Sequence, residues 1–170
     1  MNHYARLFYA LWPDDATRGH LTRLQASVIG RKVNPENLHL TLAFLGNQTP
    51  SLIPALARLI DTLPGQSFTV GIDRYGYFSK PRIAWVGPSE TPSPLVELHQ
   101  ILMDALSEAQ VPLKPEGKFT PHVTLARDTN RLDEPFAPMI PWKVDRIMLI
   151  QSLQVKGSVF YSPIVEKALA

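Results

Sequence analysis

The sequence contains no cysteine, which excludes disulfides, thiolate metal sites, a cysteine nucleophile and thiol redox sensing. Such a chain needs no oxidising compartment. It also lacks a strong charge bias: 17 Lys and Arg stand against 15 Asp and Glu, so no broad basic face is available to neutralise many phosphates of a duplex. A partner held by a few local cations fits that balance. Long apolar runs are missing too. The longest near the start, Leu7 to Trp12, falls far short of the ~20 residues of a membrane span and has no signal-peptide cleavage pattern. A soluble cytoplasmic protein without a membrane partner is expected.

Proline is abundant, 16 of 170 residues against a usual ~5%. The prolines fall between apolar runs, as at Pro88, Pro92, Pro112, Pro115, Pro135, Pro138 and Pro141, and so punctuate loops. A chain of this length with 45% hydrophobic residues can bury one sizeable core, and residues 1–170 are expected to form a single domain.

Arg6 to Trp12 reads as a strand, and Pro13, Asp14 and Asp15 suit the start of a helix with Leu21 and Leu24 on its core face. Leu38 to Leu45 alternates Leu38, Leu40, Leu42 and Phe44 against His39, Thr41 and Ala43, the period of two of a strand with one buried face. Ser51 is expected to cap a helix carrying Leu52, Leu56, Leu59 and Ile60. Residues 68–78 and 83–86 read as two strands around a turn at Ser79, Lys80 and Pro81. Ser93 and Pro94 start a helix with a stripe of Leu95, Leu98, Leu102, Leu106 and Ala109. His122 to Ala126 is a short strand after Pro121. Residues 144–153 and 159–165 read as a hairpin across Lys156, Gly157 and Ser158. This order predicts an α+β protein with antiparallel sheet.

The pattern reads twice. Each half supplies a long helix and a strand bearing His-x-Thr, and the copies at His39 and His122 lie 122 − 39 = 83 residues apart, about half the chain. Two similar lobes facing each other across a cleft are the expected outcome. One His-x-Thr is a weak signal, but two matched copies, each followed by a hydrophobic residue and alanine, are not explained by packing, because the leucines already supply the buried face. Opening a five-membered cyclic phosphate needs a base for water and an acid for the departing ribose oxygen, on opposite sides of phosphorus. Imidazole, with an ordinary pKa of about 6.5, suits both roles. Thr41 and Thr124, on the same faces as their histidines, can donate to phosphate oxygens. No metal or other cofactor is then required.

The segments Arg6-Leu7-Phe8-Tyr9-Ala10-Leu11, Asn37-Leu38-His39-Leu40-Thr41-Leu42-Ala43-Phe44-Leu45-Gly46, Trp85-Val86-Gly87, Thr120-Pro121-His122-Val123-Thr124-Leu125-Ala126-Arg127 and Tyr161-Ser162-Pro163 occur in an order that spans nearly the whole chain. In these segments the chain resembles the two-histidine phosphoesterase superfamily and, within it, the bacterial and archaeal RNA 2′,3′-cyclic phosphodiesterases, also called 2′-5′ RNA ligases. The resemblance implies a bilobal α+β fold, two similar lobes each with an antiparallel sheet and flanking helices around a central active-site groove. It implies that His39 protonates the leaving O3′ and that His122 activates water, giving a 2′-phosphomonoester. Thr41, Thr124 and Arg127 are implied to contact the phosphate. The implied partners are RNA ends or short oligonucleotides bearing a 2′,3′-cyclic phosphate, bound by a monomer. Strand parity sets Arg127 on the face opposite His122, so its reach to the phosphate requires a bend or a strand end.

Phe8 and Tyr9 alternate along the first strand, and one of them, Phe8 in the first instance, is expected to wall the groove and meet a base. Tyr77, Phe78, Trp85 and Trp142 are further candidates for stacking on a base, with core packing the expectation for most of these six aromatics. Arg6, Arg31, Lys32 and Lys118 are further candidates for backbone phosphates. His3, His20 and His99 read as solvated. A zinc site finds no support, since no further His, Asp or Glu stands at ligand spacing beside either histidine. The alternatives are a phosphodiesterase for a small cyclic nucleotide or an ADP-ribose cyclic phosphate, and a non-catalytic RNA-end binding module.

Overall fold

The computed structural model describes residues 3–170. The first apolar run forms β1 (Ala5–Leu11) and ends at Pro13. Asp14 then accepts a hydrogen bond from the Thr17 amide at 2.8 Å, satisfying one of the free donors of a first helical turn. That cap starts α1 (Asp15–Gln25), which buries Leu21 and packs Leu24 at the edge of the core. A two-residue β2 (Arg31–Lys32), not apparent in the sequence, precedes β3 (Leu40–Gln48).

The next helix, α2 (Ile53–Leu59), is not capped by Ser51 as expected. Pro50 starts the chain turning earlier, so Ser51 lies inside a 3₁₀ turn with its hydroxyl 3.4 Å from that of Thr49. A second correction concerns residues 68–78, which are two strands: β4 (Phe68–Ile72) and β5 (Arg74–Ser79) belong to different sheets. The break at Asp73 is held by its carboxylate, which accepts from the amide and the hydroxyl of Ser89, both at 2.6 Å. β6 (Arg82–Gly87) completes a hairpin with β5, and α3 (Ser93–Glu108) buries Leu95, Leu98, Leu102 and Leu106. Ala109 lies outside that stripe, exposed at the helix C-cap.

β7 (Val123–Arg127) carries the second motif, and β8 (Ile140–Val144), β9 (Arg146–Val155) and β10 (Ser158–Ala168) complete the chain. Val144 therefore ends β8 and is not part of the final hairpin. Every strand pair is antiparallel. An eight-stranded sheet runs β10-β9-β1-β3-β7-β6-β5 with β2 against β7, and β4 pairs with β8 separately. Within the large sheet, β3 and β7 meet through one residue pair, Leu40 and Val123. That narrow junction divides the protein into two lobes. The last hairpin, β9 and β10, joins the lobe of β1 and β3, so the lobes are not the two halves of the sequence.

Candidate active site

The lobe junction sets the two histidines. Continuing the antiparallel register one residue to each side of Leu40 and Val123 brings His39 toward Thr124 and Thr41 toward His122, an approximate two-fold. His39, Thr41, His122, Thr124, Arg127 and Phe8 all line one cavity of about 700 Å³.

Arg127 reaches that cavity because β7 is bulged. Thr124 pairs with Trp85 and Ala126 with Ala84, which leaves Leu125 as an extra residue without a partner on β6. A bulge of one residue reverses the face of every side chain beyond it, so Ala126 is buried and Arg127 emerges beside Thr124. The Leu125 carbonyl accepts from the Val33 amide at 2.9 Å and from Nε2 of the buried Gln25 at 3.0 Å. β3 carries the matching bulge. Ala10 pairs with Thr41 and Tyr9 with Ala43, leaving Leu42 extra. This corrects the expectation that Phe44 faces the core: Ala43 is buried instead, and Phe44 is 44% exposed at the cavity. Phe44 is thus the counterpart of Arg127 across the two-fold.

Both imidazoles are oriented by backbone carbonyls. His39 Nδ1 lies 2.6 Å from the Asn37 oxygen, and His122 Nδ1 lies 2.7 Å from that of Thr120. A carbonyl only accepts, so each Nδ1 carries the proton and each neutral ring keeps a lone pair on Nε2. The Thr41 hydroxyl donates to His39 Nε2 at 3.0 Å. Burial pushes His39 down from its ordinary 6.5 to about 4, opposed by the Asn37 bond and reinforced by the charges of His122 and Arg127. Burial likewise lowers His122, against the bond to Thr120 and with Arg127 adding to the depression.

Aromatic rings fix the His39 imidazole further. Trp12 lies parallel to it at 5.0 Å and 3°, Phe8 stacks at 5.0 Å and 29°, and Tyr161 meets it edge-on at 5.3 Å. His122 has Phe78 edge-on at 5.1 Å and Trp85 tilted at 5.6 Å. Phe8 is therefore a wall behind His39, almost wholly buried, while Tyr9 is a core residue whose hydroxyl donates to the Leu56 carbonyl at 2.6 Å. Trp12 was not singled out by the sequence, and Tyr161 appeared there only within a matching segment. The sole signal for Trp12 is its place at the end of the first apolar run.

Arg6 and Arg31 line the cavity with Arg127, whereas Lys32 and Lys118 do not. None of its lining residues is Asp or Glu. Among the described residues no three His, Asp or Glu side chains cluster as metal ligands, and no helix is long and apolar enough to cross a membrane. His3 and His20 are exposed as expected. His99 is not solvated, because its ring lies flat on Phe119 with centroids 3.9 Å apart and its Nε2 buried.

Comparison with known proteins points the same way. The model of the 2′-5′ RNA ligase superfamily matches residues 13–156. The RNA 2′,3′-cyclic phosphodiesterase of Escherichia coli strain K12 is 29% identical over 175 residues, covering 99% of each chain. That of Thermus thermophilus is 32% identical over 174 residues, 91% of this chain and 86% of the relative. The crystal structure of E. coli LigT complexed with 3′-AMP superposes with a TM-score of 0.88 at 28% identity, covering 98% of this chain and 99% of that one.

Proposed function

The chain belongs to the 2′-5′ RNA ligase superfamily, and on that premise we propose that it is an RNA 2′,3′-cyclic phosphodiesterase, formed by residues 1–170 as one domain. The observation that supports this best is a pair of carbonyl-oriented imidazoles on one cavity lined by three arginines and no carboxylate. Such a lining suits an anion with a proton donor on one side and an acceptor on the other.

In this reading His122 Nε2 takes a proton from water, and the oxygen attacks phosphorus opposite O3′. The P–O3′ bond breaks, and O3′ receives its proton from Nε2 of His39. The products are a free 3′-hydroxyl and a 2′-phosphomonoester. Thr41, Thr124 and Arg127 hold the non-bridging oxygens, and Phe8 backs the His39 ring. His39 is neutral in the free protein, so Nε2 takes up its second proton from solvent as the anionic substrate binds. The negative phosphodiester offsets the burial that depresses His39, and the faces of Trp12 and Phe8 favour a cationic ring. Protonation of Nε2 also releases the Thr41 hydroxyl to turn toward the phosphate. With a 5′-hydroxyl in place of water, the same displacement leaves a 2′-5′ linkage.

The test is product identification. An RNA oligonucleotide ending in a 2′,3′-cyclic phosphate, incubated with the protein in excess chelator, is expected to yield a 2′-phosphomonoester, distinguished from the 3′ isomer by ³¹P NMR. A 3′-phosphate product would reverse the assigned polarity. Turnover lost in chelator and restored by zinc or manganese would contradict proton transfer by side chains alone.

A further inference from the structure

A second cavity of about 440 Å³ adjoins the first and shares Arg6 and Phe44 with it. These two side chains form the partition between them: the Arg6 guanidinium lies over the Phe44 ring, 4.8 Å from its centroid, and the ring is substantially exposed. Beyond it lie Asn47, Pro112, Leu113 and Lys114. We propose that this second cavity is a subsite for the nucleotide immediately upstream of the cyclic-phosphate end, with a base against Phe44 and Leu113 and the connecting phosphate between Arg6 and Lys114. The proposal rests on the RNA reading given above and extends it to substrate length.

Three features support the subsite. An aromatic face carrying a guanidinium, half open to solvent, is a stacking platform of the kind single-stranded nucleic acids use. The second cavity, like the first, has no acidic lining residue, and among the described residues Lys114 has no ion pair. The segment that leads to Lys114 is also anchored. It is tied to the end of β3 by the buried Gln48, whose Nε2 donates to the carbonyls of Leu45 at 2.7 Å and Pro112 at 2.8 Å. A purely solvated loop has no need of a buried amide holding it to the partition strand.

The experiment compares kcat/KM for a 2′,3′-cyclic mononucleotide and for a trinucleotide with the same cyclic-phosphate terminus. The native protein is expected to favour the trinucleotide by about fivefold or more, since one stacked base contributes about 1–3 kcal/mol. Lys114→Glu should remove most of that preference while leaving the mononucleotide rate within about twofold of native. Lys143→Glu, the same charge change at an exposed site lining neither cavity, should leave the preference intact. Lys114→Ala should lower the salt slope of trinucleotide binding by about 0.7, the effect of one lost phosphate contact on a single strand. No preference in the native protein, or equal losses on both substrates in Lys114→Glu, would overturn the subsite. If the native protein turned over neither substrate, the proposed function would fail, and the subsite would be judged by anisotropy of a 5′-fluorescein trinucleotide 2′-phosphate. Weaker binding to Lys114→Glu would then support it, and unchanged binding would overturn it.

Discussion

At the scale of single residues, the proposed chemistry depends on what surrounds each imidazole. His39 and His122 were legible in the sequence because two His-x-Thr copies cannot be explained by packing, but their surroundings were not, since Trp12 and Phe8 precede His39 by many residues and meet it only through the β1–β3 pairing. Burial lowers the folded-state pKa of His39 to about 4. The sign comes from linkage: between about 4 and 6.5 the unfolded chain binds the proton and the folded one does not, so stability is fully present above 6.5 and is lost as pH falls toward 4. The melting temperature is expected to fall across that window, and to fall less in His39→Gln. In NMR titrations a bound nucleotide 2′-phosphate should raise the His39 midpoint. An unchanged midpoint would remove the route by which His39 acquires its proton. Trp12 offers a separate test. Trp12→Leu removes the flat ring face and is expected to lower kcat by about 2- to 30-fold, the span of a cation–π contact of about 0.5–2 kcal/mol. Trp12→Phe should recover much of the loss, and KM should change little in either variant.

At the scale of elements, the main discrepancy between pattern and structure lies at the two bulges. Strict alternation places Phe44 in the core and Arg127 away from His122, and both placements fail for the same reason. One extra residue, Leu42 in β3 and Leu125 in β7, reverses the parity of the residues that follow, in β3 as far as Leu45, where a second bulge restores it. Periodicity carries no mark of such an insertion, because each bulged leucine is itself buried. The support of the β7 bulge is visible only in three dimensions: Gln25, at the end of α1, donates from Nε2 to the carbonyls of Val33 at 2.7 Å and Leu125 at 3.0 Å. Gln25→Leu is expected to destabilise the fold by about 1–3 kcal/mol, because buried acceptors lose their donor. It should also raise KM through displacement of Arg127, measured by denaturant unfolding and steady-state kinetics on the same preparation. A stability loss with unchanged KM would show that the bulge does not depend on Gln25. The Asp14 cap serves as a contrast. Asp14→Ala should cost about 1 kcal/mol at a helix end without altering KM.

At the scale of the whole molecule, an α+β fold with antiparallel sheets and two lobes was legible from the order of elements and the duplicated motif. The lobe composition was not. The sequence repeats by halves, but the final hairpin crosses to the first lobe, where β9 pairs with β1 and Tyr161 of β10 reaches the His39 ring. β8 was not legible because Pro141 stands inside its run and reads as a loop residue, whereas in the structure it belongs to a strand paired with β4 in a small separate sheet. The consequence of this arrangement is that each lobe delivers one imidazole and one threonine to a shared cavity, as the proposed mechanism requires. The most direct measurement uses an oligonucleotide whose cyclic phosphate has sulfur in place of the leaving O3′, a leaving group that scarcely needs protonation. On the ordinary substrate, His39→Ala and His122→Ala should each lower kcat by at least about 10²- to 10⁴-fold. On the sulfur substrate, His39→Ala should regain much of its rate, whereas His122→Ala should stay slow because water still lacks its base. Rescue of His122→Ala instead would exchange the two roles, and full activity in either variant on the ordinary substrate would contradict the two-histidine mechanism.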